Sequence, residues 1–557
     1  MEQDTSLIYD GLGNIKRVVV LMFENRSFDH LFGDFPNVNG LFDTNGNFKQ
    51  DCYNLQDPLS PASGSNPAFY PTPVDPSQPL AHDFTHDFGD GMMPDLFGPV
   101  FTVEGTPPLP GNAGAIYTSG YVKGAPTGQI QPTPATYPAT NSGFFTTYNS
   151  CKQQEESVMT YFKNGDLQVL HALAEEFVLC DNWHCDMPGH TLPNRAFIHC
   201  ATTGDTGIDD TDGGMVEENS IFDLINQQSN LQNPPTWKMY APVDNAGNLG
   251  QADTRFLNDN LQYYTPFSLT DFADDCNNGT LPFYSFIMCW LPNGDTDSYT
   301  DTSMHPASMI QPGENLLAGV YNTLRNSACW SDTLLAVTFD ENGGIYDHVF
   351  PPVTTPPDPA AAAATQYTQG CCGNEWVLNS TFDFSLLGFR VPALLISPWL
   401  AKGIDSTQYQ NTSVLRFLVN KLNAIYNTNI SPLTERDANA PGLASAFKQF
   451  GQSSMRTDCP AEIIPYSTLP CTDPNTNSNE IPYSAGISTP WTPPAGMDAA
   501  PPVPYINELI NIYSGPLPGH ADSGKPVTRI FATNAEVMDY TNERVAAADA
   551  YEAAKNL

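Results

Sequence analysis

The chain of 557 residues carries 22 Lys and Arg against 61 Asp and Glu, a formal net charge of −39. A field of that sign repels phosphate backbones and anionic bilayers, which argues against nucleic-acid binding and leaves at most transient membrane contact. With 40% hydrophobic and 15% charged residues, the composition is that of a globular chain and not of a disordered acidic tail.

The first clear element is KRVVVLMF (16–23), a continuous apolar run of the kind expected for a strand covered on both faces. Residues 52–145 are crowded with Pro, Gly, Ser and Thr and read as a long irregular excursion, the sort of loop that carries a site or a lid. From about 155, EESVMTYFKNGDLQVLHALAEEF has apolar residues at helical spacing and leads into the strand-like FVLCDNW. SIFDLINQQ (220–228) is a predicted helix, TWKMY (236–240) a strand and PFYSFIMCW (282–290) a buried strand. ENLLAGVYNTLRNSACW is a helix running into the strand DTLLAVTFDEN, VPALLISPW (391–399) is a further buried strand, and TSVLRFLVNKL (412–422) a further helix. Helices alternating with strands buried on both faces predict an α/β unit, a mostly parallel sheet with helices on each side, whose ligands bind beyond the carboxyl ends of the strands. After about 448 the chain turns loop-like and closes on the helix-forming NAEVMDYTNERVAAADAYEAAKNL, so 448–557 is expected to wrap or cap the core.

Few lysines, many prolines and the sequons at Asn278, Asn379, Asn411 and Asn429 point to an extracytoplasmic life, in which most of the twelve cysteines would be paired. No charged-then-apolar leader opens the chain, so either a leader has been removed or the protein stays in the cytoplasm.

The chemistry gathers at strand ends. The strand at 16–23 delivers Glu24 and Asn25, and TLLAVTF (333–339) delivers Asp340 and Glu341. If the two strands are neighbours, three carboxylates and an amide share one crevice, a set of oxygens whose usual partner is a hard divalent cation. Either pair alone would serve equally well to cap a helix or to pair with arginine. A third strand end, FVLCDNWHCDMPGHTLPNR, passes through a Gly-containing turn to Thr191, with Pro193 suited to a first helical turn. A hydroxyl there is either an N-cap or a nucleophile beside a ready anion site. His82 and His86 in HDFTHD, His305 in SMHPAS and His348 in YDHV are candidates for binding phosphate oxygens or moving a proton.

Taken in order, FENRSFDHLFG, CDNWHCDMPGHTLPNR, MHP, TFDENGGIYDHVFPP and GFRVPALLISPW resemble the phosphoesterase family that contains non-specific phospholipases C and related acid phosphatases, over about residues 14–447. The resemblance implies an alkaline phosphatase-like fold and a metal-dependent hydrolase of phosphoric esters or phospholipids. It implies a divalent metal ion held by Glu24, Asn25, Asp340 and Glu341 with Thr191, and Thr191 as the nucleophile that becomes phosphorylated. His305 and one of His82 or His86 would line the phosphate and leaving-group side, with His190, Asn194 and His348 towards the substrate. His190 stands where many relatives carry Pro, and SMHPAS lacks the acidic residue and second Pro that often flank this His, so substrate choice stays open between a phospholipase C and a broad acid phosphomonoesterase. A silent lipid- or partner-binding protein is the alternative of another class.

Overall fold

Val18 to Phe23 are all buried in strand β1 (Arg17–Phe23), as an unbroken apolar run requires when both faces of the pleat are covered. The computed structural model describes residues 9–55, parts of 63–96 and 141–145, 156–204, 218–242, 264–289, 301–358 apart from 307, the backbone of 363–369 and 376–382, and 384–466. The remaining sheet strands are β2 (Val178–Cys180), β3 (Trp237–Ala241), β4 (Phe267–Ser268), β5 (Tyr284–Met288), β6 (Thr333–Phe339), β7 (Ala393–Ile396) and β8 (Gly403–Asp405). They make one eight-stranded sheet in the order β8-β2-β7-β6-β1-β5-β3-β4. Strand β1 lies between β5 and β6, parallel to both, and Phe23 pairs with Phe339. That register makes Glu24 and Asp340 leave the sheet side by side.

Among the described residues the α-helices are α1 (Phe28–Phe32), α2 (Leu170–Glu176), α3 (Thr191–Cys200), α4 (Ile221–Asn226), α5 (Leu269–Asn278), α6 (Gln311–Arg325) and α7 (Thr412–Tyr426), with two short ones at 435–439 and 444–450. Several are started by local chemistry: Ser27 accepts from His30 N at the head of α1, and Ser220 and Ser268 form capping boxes with Asp223 and Asp271.

The fold is α/β with a mostly parallel sheet, and three features depart from the sequence reading. Strand β7 runs antiparallel to both neighbours, Thr338 pairing with Ala393 and Leu335 with Ile396. It does so because the chain enters it from the strand-tip end, where Arg390 is anchored. The helix expected from about 155 is broken: Thr160–Tyr161 is a short strand, Gly165 turns the chain at φ 92, and the helix proper begins at Leu170. The eight described cysteines, at 52, 180, 185, 200, 276, 289, 329 and 459, are free and buried, so the pairing expected of a secreted chain is absent among them. The sequon at Asn411 is also buried, its amide donating to the carbonyls of Phe339 and Asp340 and accepting from the Trp183 indole.

Described parts of the 52–145 excursion pack as a second apolar cluster, Phe84, Met92, Leu96 and Phe144 meeting Ile345, Tyr346 and Phe389. Residues 459–466 run along α6, where Asn315 and Asn322 each bond a backbone N–H and a carbonyl of the segment. The helix expected near the C-terminus lies outside the described residues, as does a second unit formed by 243–249 and 489–557.

Candidate active site

Asn25 is the hub. It is fully buried and sits at φ 57, a left-handed conformation that a non-glycine residue adopts only when its surroundings hold it there. Gly343, itself at φ 65, makes room: a Cβ there would lie 2.3 Å from the Asn25 carbonyl oxygen. The Asn25 N–H donates to Asp340 Oδ1 (3.1 Å), which also accepts from Glu341 N (2.7 Å).

The Asn25 side chain joins the remaining parts. His86 donates Nδ1–H to the Phe84 carbonyl (2.6 Å) and His305 donates Nδ1–H to the Pro306 carbonyl (3.0 Å), so both rings present an Nε2 lone pair. The Asn25 amide nitrogen donates to both, at 3.2 and 2.9 Å. That assignment turns Asn25 Oδ1 towards Thr191, whose hydroxyl lies 3.5 Å away. Glu341 Oε1 is 3.8 Å from His86 Nε2, and Glu341 Oε2 accepts from Gly343 N.

The His305 loop is fixed from behind. Met304 is left-handed at φ 67, Arg26 donates to the Met304 and His305 carbonyls, and Asp301 accepts from Ser303 N and the Ser308 hydroxyl. Burial still pushes the Asp301 carboxyl above its usual range against those hydrogen bonds.

Thr191 is not the N-cap. His190 holds the cap position of α3 without a capping side-chain bond, which puts Thr191 at the first helical residue, partly exposed and directed at Asn25. The first turn of α3 thus faces the strand tips, and helix starts favour anions.

Of the residues expected here, Glu24, Asn25, Thr191, His86, His305, Asp340 and Glu341 converge, and the His190 ring packs on His86 with centroids 5.2 Å apart. His82 lies outside the described residues. Two assignments to the substrate side need correction. Asn194 is buried with its amide spent on the turn before α3, accepting from Met187 N and donating to the carbonyls of Met187, Gly189 and His190. His348 belongs to a separate cluster, its Nδ1 2.6 Å from Asp29 Oδ2.

That cluster contains Asp29, Asp347 and His348, whose ligand atoms lie within 4.8 Å of one another, close enough for a metal. Arg390 already supplies the positive charge, with Nη2 2.9 Å from Asp29 and Nε 2.9 Å from Asp347. Burial would raise the Asp29 carboxyl, but His348 and Arg390 outweigh it and hold it below its usual range.

Sequence reasoning missed two residues of the site itself. Arg195 reaches back from α3 to Glu24 Oε1 (2.9 Å) and Asp340 Oδ2 (3.1 Å), and Asn411 pins the end of β6. Arg195 stands four residues after Thr191, on the same helix face, which was the available signal. Three buried carboxylates, Glu24, Asp340 and Glu341, are thus gathered beside Asn25 and Thr191, with Arg195 on two of them. The oxygens of Glu24, Asn25, Asp340 and Glu341 with the Thr191 hydroxyl therefore fit a hard divalent cation.

The phosphoesterase family profile matches residues 15–424. The chain belongs to the phosphoesterase family. Its relatives include non-specific phospholipase C5 of Arabidopsis thaliana, 30% identical over 469 residues that span 80% of this chain and 76% of that one. Non-specific phospholipase C6 of the same plant is 28% identical over 485 residues (83% and 77%), and phospholipase C A of Mycobacterium tuberculosis 29% over 464 (78% and 78%). Solved structures that overlap it in part include a protein of the alkaline phosphatase superfamily from Vibrio parahaemolyticus, at 15% identity and TM-score 0.28, covering 49% of this chain and 63% of that one. Murine ectonucleotide pyrophosphatase/phosphodiesterase 5 in complex with AMP overlaps at 14% identity and TM-score 0.28, covering 51% and 93%. Family membership makes this phosphoesterase a hydrolase of phosphoric esters.

Proposed function

We propose that the chain cleaves phospholipids as a phospholipase C, using Thr191 as nucleophile and a divalent cation held by Glu24, Asn25, Asp340 and Glu341. The observation that carries this is the meeting of the Thr191 hydroxyl with Asn25 at the head of α3, beside the buried carboxylates of Glu24, Asp340 and Glu341. Phospholipases C among the relatives support the diester reading over a monoesterase. When bound, the cation would supply charge neutralisation for the phosphoryl group and a lowered pKa for the Thr191 hydroxyl.

In the first half-reaction Thr191 Oγ1 forms a bond to phosphorus as the bond from phosphorus to the glycerol oxygen breaks. The hydroxyl proton passes to the imidazole of His86 or His305, whose Nε2 gives up its hydrogen bond from the Asn25 amide to accept it, and from there to the leaving alkoxide. Diacylglycerol departs, leaving the phosphorylated head group on Thr191. Water then attacks phosphorus, the bond to Oγ1 breaks, and Thr191 recovers its proton. The first turn of α3 orients the anionic group throughout.

Thr191→Ala tests the reading. It should lower kcat on phosphatidylcholine by roughly four orders of magnitude, the scale on which nucleophiles are lost, with little change in folding. Acid-quenched wild-type enzyme should yield a modified peptide containing Thr191. Near-normal turnover by the variant would mean that water attacks directly, and hydrolysis confined to phosphomonoesters would replace the lipase reading with a phosphatase.

A further inference from the structure

We propose that Arg195 is the positioning residue of this site: by bridging Glu24 and Asp340 it fixes the orientation of both carboxylates and locks them to the helix that carries Thr191. This rests on the reading above.

Arg195 is buried, and it does not fork onto one carboxylate as a structural arginine commonly does. Its Nη2 takes Glu24 at the tip of β1 and its Nε takes Asp340 at the tip of the neighbouring β6. Asp340 Oδ2 is thereby engaged, while Oδ1 holds the N–H groups of Asn25 and Glu341. Asp340 is thus gripped at both oxygens, and Glu24 is held at Oε1. Because helical side chains lean towards the N-terminus, the same contacts pull the head of α3, with Thr191, onto the strand tips. The guanidinium also lies near the Cys289 sulfur at the end of β5, 4.0 Å from Nη2. Arrangement of this kind around ligand carboxylates tunes metal affinity and activity without touching substrate.

Arg195→Lys separates charge from geometry, since an ammonium keeps the charge and loses the planar bridge. Three quantities are measured on wild type and variant: Mn2+ binding by calorimetry, kcat and KM on a chromogenic phosphocholine diester at saturating Mn2+, and the unfolding midpoint without metal. We expect Mn2+ affinity and kcat each to fall about 10- to 100-fold, with KM within about twofold and the variant folded. A merely structural arginine would lower the midpoint and leave Mn2+ affinity and kcat per folded molecule at wild-type values, which overturns the proposal. Should the lysine variant not fold, Arg195→Gln, which keeps an amide donor, is read by the same quantities. Failure of both to fold overturns the proposal too. If wild type binds no Mn2+ and turns over fully in chelator, the cation reading falls and this inference with it. If wild type binds Mn2+ and Arg195→Lys matches it, only the role of Arg195 falls.

Discussion

Two acid clusters lie just beyond the tips of β1 and β6, built from the same two segments, and they do different things. Glu24, Asp340 and Glu341 gather around Arg195, while a few residues further on Asp29 and Asp347 gather around Arg390 with His348 alongside. In the second cluster every carboxylate oxygen has a partner: the guanidinium serves both aspartates and His348 takes the remaining oxygen of Asp29. It ties α1, the loop after β6 and the entry to β7 into one knot. In the first, one guanidinium bridges two of three carboxylates beside a hydroxyl at a helix start. Composition hardly separates the two. The ratio of acid to guanidinium does, three carboxylates to Arg195 against two to Arg390, and an excess of buried carboxylate favours a cation.

The largest expected effect falls on the strand-tip cluster. Asp340→Asn should abolish most divalent-cation binding and lower kcat by about three orders of magnitude or more, with the fold retained, as read by calorimetry and steady-state rates. Cation binding and rates at wild-type level in that variant would erase the distinction drawn here. The knot should respond in the opposite sense. Arg390→Met leaves two aspartates buried without their partner, so it should cost roughly 3–5 kcal/mol of stability in denaturant titration, while the folded fraction keeps its kcat. Loss of activity in the folded fraction would mean that the knot also serves catalysis.

Acid should loosen both regions. His30 accepts at Nε2 from Arg26, which holds the His305 loop, and His184 lies near Arg390. Burial, assisted by Arg26, lowers the pKa of His30 to about 3, and burial lowers that of His184 to about 3. For a base depressed in the folded state, the unfolded chain takes up the proton first. Stability is therefore full above about pH 6.5 and declines as pH falls towards 3, by at most about 1.4 kcal/mol per histidine for each pH unit. Asp29, held below its usual range, adds a loss of the same sign at the acid end of that window. Unfolding midpoints followed from pH 7.5 to 4 check this, and a flat profile would show that neither imidazole is kept neutral by the fold. Replacing His184 with Gln, which keeps a donor for the Gly388 carbonyl, should flatten part of the slope.

Much of the fold was written in patterns that need no neighbours to be read. Apolar runs such as Val18–Phe23 and Thr333–Phe339 must be covered on both sides, and residues at helical spacing such as 412–422 must bury one face, so the α/β class follows from period alone. The acids after β1 and β6 were legible for the same reason: polar groups that follow a buried strand lie at its exit. Periodicity carries no direction, so it could not show that β7 runs backwards. Nor does spacing say which partner a polar side chain finds. Asn194 and His348 stand in motifs as suggestive as that of Thr191, yet one is consumed by its own turn and the other by Asp29. Arg195 and Asn411 read as an ordinary helix residue and a sequon, and became parts of the site only when the sheet register set Glu24 beside Asp340. The sequence by itself determined which segments are buried and which carry acid at their ends. The tertiary structure alone decided which acids Arg195 and Arg390 take and which stand beside Thr191, because those pairings depend on a few ångströms between residues far apart in the chain.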